Sequence, residues 1–109
     1  MSNSDTITVV PRLKFKSGGL DEIMPALNVL LDKMSKEPNF VECYLHRDLD
    51  DPDVLVIYET WATTRESFGA EEMTRPYRGD YQAAIGDSLE SVDMMWLATP
   101  FRHDAAAKA

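Results

Sequence analysis

A lone cysteine and only two histidines set the first limits on this 109-residue chain. Cys43 has no internal partner for a disulfide, and the separated His46 and His103 add no metal-ligand spacing to it. Six methionines and two tryptophans suit a reducing interior and a soft, aromatic core. Cationic residues are scarce as well: 11 Lys and Arg stand against 19 Asp and Glu, for a formal charge of -8. No cluster of them can neutralise phosphates, so neither nucleic acid nor an anionic membrane is an expected partner. No apolar run approaches the ~20 residues that span a bilayer. No basic start followed by an apolar block marks a secretory leader, and the expected location is cytoplasmic. Gly18-Gly19 lacks the further glycines and lysine of a phosphate loop and reads as a turn. Asp50, Asp51 and Asp53 lack the Gly and Glu that would complete a calcium loop. No Ser-His-Asp or Cys-His constellation can be assembled, and no metal is expected.

With 44% hydrophobic residues the chain has enough apolar surface for one core and one domain, 7–101, between small polar tails at 1–6 and 102–109. Residues 7–16 read as a strand with Val9, Leu13 and Phe15 on alternate positions. Pro11 within it lacks an amide donor and predicts an edge strand or a bulge. Leu20, Ile23, Met24, Leu27, Leu30, Leu31 and Met34 then fall at helical three-four spacing, with Asp21 and Glu22 at the positive end and Lys33 and Lys36 at the negative one. Pro25 predicts a small kink or a later start. Pro38 ends the helix. Strands at 40–47 and 54–62 flank an acidic turn and predict a hairpin. A helical stretch at 64–84, broken near Gly69 or at Arg75-Pro76, and a last strand at 88–101 complete the order.

Strand, helix, strand, strand, helix, strand is the ferredoxin-like split βαβ arrangement: an antiparallel α+β sheet with both helices on one face. Apolar residues occupy both alternating sets of the third strand, Val54, Val56 and Tyr58 against Leu55, Ile57 and Trp61. Neither face can be wholly wet, which predicts a homodimer through the bare face and a barrel made from two sheets.

Four short segments, Glu37-Pro38, Tyr44-Leu45-His46-Arg47-Asp48, Asp51-Pro52 and Tyr58-Glu59-Thr60-Trp61, give the span 36–61 a specific look. It resembles the antibiotic biosynthesis monooxygenase family, small dimeric α+β-barrel proteins that include cofactor-independent anthrone and quinol oxygenases. With the element order the likeness covers about 7–100. The resemblance implies a pocket between sheet and helices for a small planar hydroxylated aromatic or quinonoid ligand. It makes Trp61 the pocket tryptophan and implies oxidation by molecular oxygen with no cofactor. The protein would then orient a deprotonated substrate and stabilise its anion. Anthrone oxidisers of the family carry asparagines on the first and third strands; here Ile57 stands in the corresponding place, and the first strand has none. Where many relatives have a helix histidine the best match is Glu71, which removes the iron ligand that haem degradation needs.

Residues 57, 59 and 61 share one face of a strand, so a carboxylate and an indole emerge together. A buried carboxylate without a partner is costly, so Glu59 is at a wet strand end, paired, or lining a cavity. As an active site, Trp61 positions the ring and Glu59 takes the proton, with Glu71 or His46 as substitutes. Phe68, Tyr77, Tyr81, Trp96 and Ile57 line the remainder. Arg75 and Arg78 either hold a ligand carboxylate or phenolate or offset local acidity. Each has a purely structural alternative: a core indole, an ion-paired Glu59, an exposed His46, a solvated Glu71-Glu72 face, a packed aromatic wall. Two other functions fit the same fold: a non-catalytic small-molecule-binding protein, and an isomerase or decyclising enzyme acting on a small metabolite.

Overall fold

Leu20, Ile23, Leu27, Leu30 and Met34, spaced alternately three and four apart, form the buried stripe of the first helix in the computed structural model, which describes residues 6–106. The elements are β1 (Ile7–Phe15), α1 (Gly19–Met34), β2 (Phe40–Arg47), β3 (Val54–Trp61), α2 (Arg65–Ser67), a π-turn (Phe68–Glu72), α3 (Pro76–Ile85) and β4 (Leu89–Leu97). Most of the two expected tails lies outside the described residues; Thr6 and residues 102–106 have no regular structure. α1 runs unbroken through Pro25, whose missing donor leaves the Asp21 carbonyl without its helical partner. The second helical stretch breaks at Arg75-Pro76, as its proline requires. Gly69 is carried inside the π-turn and does not end a helix.

The four strands form one antiparallel sheet in the order β2-β3-β1-β4. This is the expected ferredoxin-like α+β topology. The sheet is open: β2 and β4 are edges, and closure into a barrel is not a property of the single chain. Pro11 departs from expectation, because β1 is a central strand. The ladder to β4 passes straight through Pro11↔Met94, whereas the ladder to β3 has partners at Val9↔Glu59 and Arg12↔Val56 and none at Pro11. One strand pair absorbs the absent donor, so no bulge is needed at that position.

Opposite residues in the ladders share a face. Val9, Leu13 and Phe15 of β1, with Leu55, Ile57 and Trp61 of β3, join α1, Phe68 and Ile85 in one core. α1 and α3 lie side by side over it. The hairpin between β2 and β3 is closed by Asp48 and Asp51, whose carboxylates accept the Asp50 and Asp53 amides at 2.8 and 3.0 Å. Lys14 pairs with Asp51 from β1.

Gly18 joins β1 to α1 at φ 77°, in the left-handed region. A Cβ there meets no neighbour, so its cost is backbone strain alone. Gly18→Ala is expected to lower stability by about 1 kcal/mol, read as a lower urea midpoint with an unchanged slope.

Candidate functional site

Alternation along β3 places Ile57, Glu59 and Trp61 beneath the helices, and the ladders set Val9 and Cys43 on either side of Glu59. Glu59 is only 4% exposed. Its Oε1 accepts a hydrogen bond from Trp61 Nε1 at 2.9 Å, a contact that two-residue spacing on one strand face makes possible. Trp61 is fully buried and central to an aromatic row: Phe40, Trp61, Phe68 and Trp96 meet edge to face with centroids 5.2, 5.3 and 5.7 Å apart.

Phe68 and Glu72 are brought inward by the π-turn, in which the Met73 amide bonds back to the Phe68 carbonyl at 3.1 Å. Single π-turns within helices frequently occur at functional sites. Glu72 pairs with Arg75 at 3.3 Å, Arg75 reaches Glu37 at 3.1 Å, and the Tyr77 hydroxyl donates to Glu37 at 2.7 Å. This cluster ties the start of α3 to the end of α1. It fixes which side of α3 turns toward the sheet, and that side carries Arg78, Tyr81 and Ile85.

Arg78 is 8% exposed, with its guanidinium 5.5 Å from the Phe68 ring centroid and 6.0 Å from that of Trp61. Its Nε and Nη2, and the Tyr81 hydroxyl, are buried without a hydrogen-bond partner. Arg78, Tyr81, Glu59, Ile57, Phe68 and Pro11 are among the residues enclosing a cavity of about 170 Å³ between sheet and helices. Burial holds the Glu59 carboxyl above its ordinary range, against the opposing influence of the Trp61 hydrogen bond and the Arg78 charge. The Tyr81 hydroxyl is pushed up to about 12, by burial first and Glu59 second, and remains a proton donor at neutral pH. Cys43 rises to about 12 for the same two reasons, which leaves an unreactive thiol. Among the described residues no three His, Cys, Asp or Glu side chains gather to hold a metal ion.

The structure brings Glu59, Ile57, Phe68 and Tyr81 together at the cavity and separates the remaining candidates from it. Trp61 lies behind Glu59, holding its carboxyl and meeting Phe68 edge to face. Trp96 packs on the far side of Phe68 and is covered by the Arg65 guanidinium, 4.8 Å from its centroid. Tyr77, although four residues from Tyr81, turns to Glu37. His46 pairs across the ladder with Val56, so it is exposed on the opposite face of the sheet. Glu71 is exposed on the outer side of the π-turn, and its neighbour Glu72 takes the inward place, paired with Arg75. Proton transfer from the cavity to either His46 or Glu71 has no direct path. Arg78, read from sequence as an anion holder or a local counter-charge, is buried at the cavity; the signal for its burial was a cation three residues before Tyr81 and seven before Ile85, on the apolar stripe of a helix.

The family model described as antibiotic biosynthesis monooxygenase matches residues 6–75. Among solved structures, a candidate antibiotic biosynthesis monooxygenase from Nitrosomonas europaea superposes with a TM-score of 0.80 at 15% identity, covering 93% of this chain and 96% of that one. SnoaB, a cofactor-independent oxygenase from Streptomyces nogalater, gives 0.76 at 18% identity over 94% and 99% of the two chains. A conserved protein from Methanosarcina mazei Go1 gives 0.77 at 16% identity over 88% and 94%. No curated protein matches the chain.

The raised Glu59 proton affinity has a measurable consequence. The folded chain holds this proton more tightly than the unfolded chain, whose value lies near 4.5. The stability contributed by the neutral carboxyl is therefore present below pH 4.5 and lost as pH rises through the folded-state value. Gln in its place accepts the same indole hydrogen bond without ionising. Urea unfolding from pH 4 to pH 8 is expected to show Glu59→Gln gaining stability relative to the parent as pH rises.

Proposed function

The chain belongs to the antibiotic biosynthesis monooxygenase family, and from that premise we propose that it oxidises a small hydroxylated aromatic or quinol-type substrate with molecular oxygen, without a cofactor. The observation that carries this reading is Glu59: a carboxyl of raised proton affinity, buried at an apolar cavity, oriented by an indole and facing a fixed positive charge. A general base for a phenolic or benzylic proton needs this combination, since a carboxylate of ordinary pKa is too weak a base near neutrality. The kinship in fold with SnoaB, itself a cofactor-independent oxygenase, supports the same reaction class.

In this mechanism Glu59 removes a proton and the substrate becomes a carbanion or phenolate. Arg78 lowers the energy of that anion in a setting of low dielectric, where a fixed charge acts strongly. The anion gives electrons to oxygen directly. For a methylene substrate, one atom of the oxygen molecule becomes a carbonyl oxygen on the ring carbon, and the other leaves as water with the two methylene hydrogens. For a phenol oxidised at the ring to a quinone, one oxygen atom becomes the second carbonyl. The other leaves as water with the hydroxyl hydrogen and the displaced ring hydrogen. Trp61 acts through Glu59: its Nε1–H points the carboxyl and holds down its proton affinity.

The bare face of the sheet supports a twofold dimer as the working form. Tyr44, Met95 and Leu97 are 52%, 53% and 40% exposed there. A hollow of about 1220 Å³ lies between this face and residues 98–102, larger than the ~300–1,000 Å³ of ordinary ligand pockets. Sheet-to-sheet packing of two copies covers these side chains and completes the barrel.

Two measurements test the reading. Oxygen uptake with a panel of hydroquinones is expected without added flavin or metal. Glu59→Gln should reduce kcat by ~100-fold or more, and Trp61→Phe should move the rising limb of the pH profile to higher pH by removing a hydrogen bond that favours the carboxylate. Full rates in both variants would end the proposed mechanism. Sedimentation should give two chains per particle, and Met95→Glu combined with Leu97→Glu should give one; a monomeric parent would refute the dimer.

A further inference from the structure

The polar groups left unsatisfied around the cavity point to a substrate class more specific than a hydroxylated aromatic. Arg78 is more than nine-tenths buried, its charge has no ion-pair partner among the described residues, and two aromatic rings occupy its surroundings. What is both fully buried and unpaired is one edge. Nε and Nη2 are the two nitrogens on the same side of a guanidinium, and their N–H bonds run parallel. A single phenolate oxygen satisfies one of them fully; a planar group with two oxygens satisfies both. The unpartnered Tyr81 hydroxyl is one helical turn farther along α3 on the same cavity wall, and supplies a third donor. A buried donor without an acceptor costs about 1–3 kcal/mol, so three of them beside a cavity describe a place prepared for an acceptor that arrives with the ligand.

Size sets the second limit. A cavity of about 150 Å³ accommodates benzene, and the space here is about 170 Å³. One ring with small substituents fits; three fused rings do not. Much of the remaining lining is apolar, Val9, Leu30, Ile57 and Phe68 among it. Among the described residues Glu59 is the only carboxyl on the wall, and its hydrogen bond comes from Trp61 and not from Arg78.

We propose that the substrate is a single-ring hydroxylated aromatic acid, whose carboxylate is held by the Nε/Nη2 edge of Arg78 and by the Tyr81 hydroxyl while its ring hydroxyl faces Glu59. This rests on the oxygenase reading for the role of Glu59, but the anchoring pair stands on its own geometry. Arg78 and Tyr81 are specificity-determining residues in it: they choose the acid over the neutral ring and set its orientation.

The test is binding measured by calorimetry under nitrogen, so that no turnover is involved, with 2,5-dihydroxybenzoate, 2,5-dihydroxybenzamide and hydroquinone as probes. The acid is expected to bind at least tenfold more tightly than the amide and hydroquinone. Arg78→Lys keeps the charge but loses the parallel pair of donors, and should remove most of that preference. Tyr81→Phe should weaken the acid by several-fold. Equal affinity for the three probes, or no binding of the acid, overturns the proposal without recourse to any variant, so misfolding of Arg78→Lys cannot obscure the result. Retention of the full preference in both variants also overturns it. Admitting air separates this outcome from the reaction: acid-selective binding without oxygen uptake refutes the oxygenase reading alone, whereas oxygen uptake with hydroquinone and no preference for the acid refutes the anchoring site alone.

Discussion

A carboxyl and a guanidinium share one apolar layer of this small protein, and their placement constrains everything around them. Isolated charges in such a layer are costly, and two opposed charges normally recover the cost by pairing directly. Here they do not pair. Glu59 takes its hydrogen bond from an indole, and Arg78 lies among aromatic rings with one edge unsatisfied. The separation is maintained by elements with no chemistry of their own. Trp61 is locked by Phe40 and Phe68, and α3 is anchored through Arg75 and Tyr77 to Glu37 at the end of α1. The exposed ion pairs elsewhere, such as Arg47 with Asp21 and Lys36 with Asp32, are of the weakly stabilising surface kind and bear on none of this.

The fold was legible because each element repeats one signal many times. Five apolar residues at three-four spacing can only be one face of a helix, and alternation in β3 fixes which side chains share a face. The ferredoxin-like order followed from these and from the short acidic turn. Parts of the site were illegible for local reasons. Glu71 and Glu72 are adjacent, and α-helical geometry leaves both near the Phe68 side of the turn. The wider π-turn sends one inward and the other out, and its backbone has no sequence signature comparable to proline or glycine. His46 belongs by alternation with Glu42 and Tyr44, away from the core residues Cys43 and Leu45, so strand period alone argued for the exposed position that the structure gives it.

Tyr77 and Tyr81 show the limit of face-sharing arguments. They do share a face, and on an isolated helix they would act alike. Glu37 lies within reach of only one of them, on the preceding helix, and a long-range contact of that kind is invisible to periodicity. Arg78 was obscured for the opposite reason. From sequence it stands between holding a ligand anion and offsetting local acidity, and its burial depends on two aromatic rings from another part of the chain.

Pro11 links the fold to the site most directly. Proline belongs at sheet edges because a central strand needs donors on both sides, yet β1 is central and Pro11 pairs across to Met94 on one side only. The break in the opposite ladder falls between the Val9↔Glu59 and Arg12↔Val56 pairs, under the wall of the cavity. The strand thus gives up one amide donor at a point where an additional N–H would face β3 beside Glu59 and Ile57. With an amide donor there the sheet would be better bonded, and the floor of the cavity would carry one more polar group. With proline the floor carries no such amide, and the polar side chains lining the cavity are Glu59 from the sheet and Arg78, Tyr81 and Gln82 from α3. A residue that weakens the sheet in isolation therefore sharpens the contrast between the walls of the cavity and its few polar contacts.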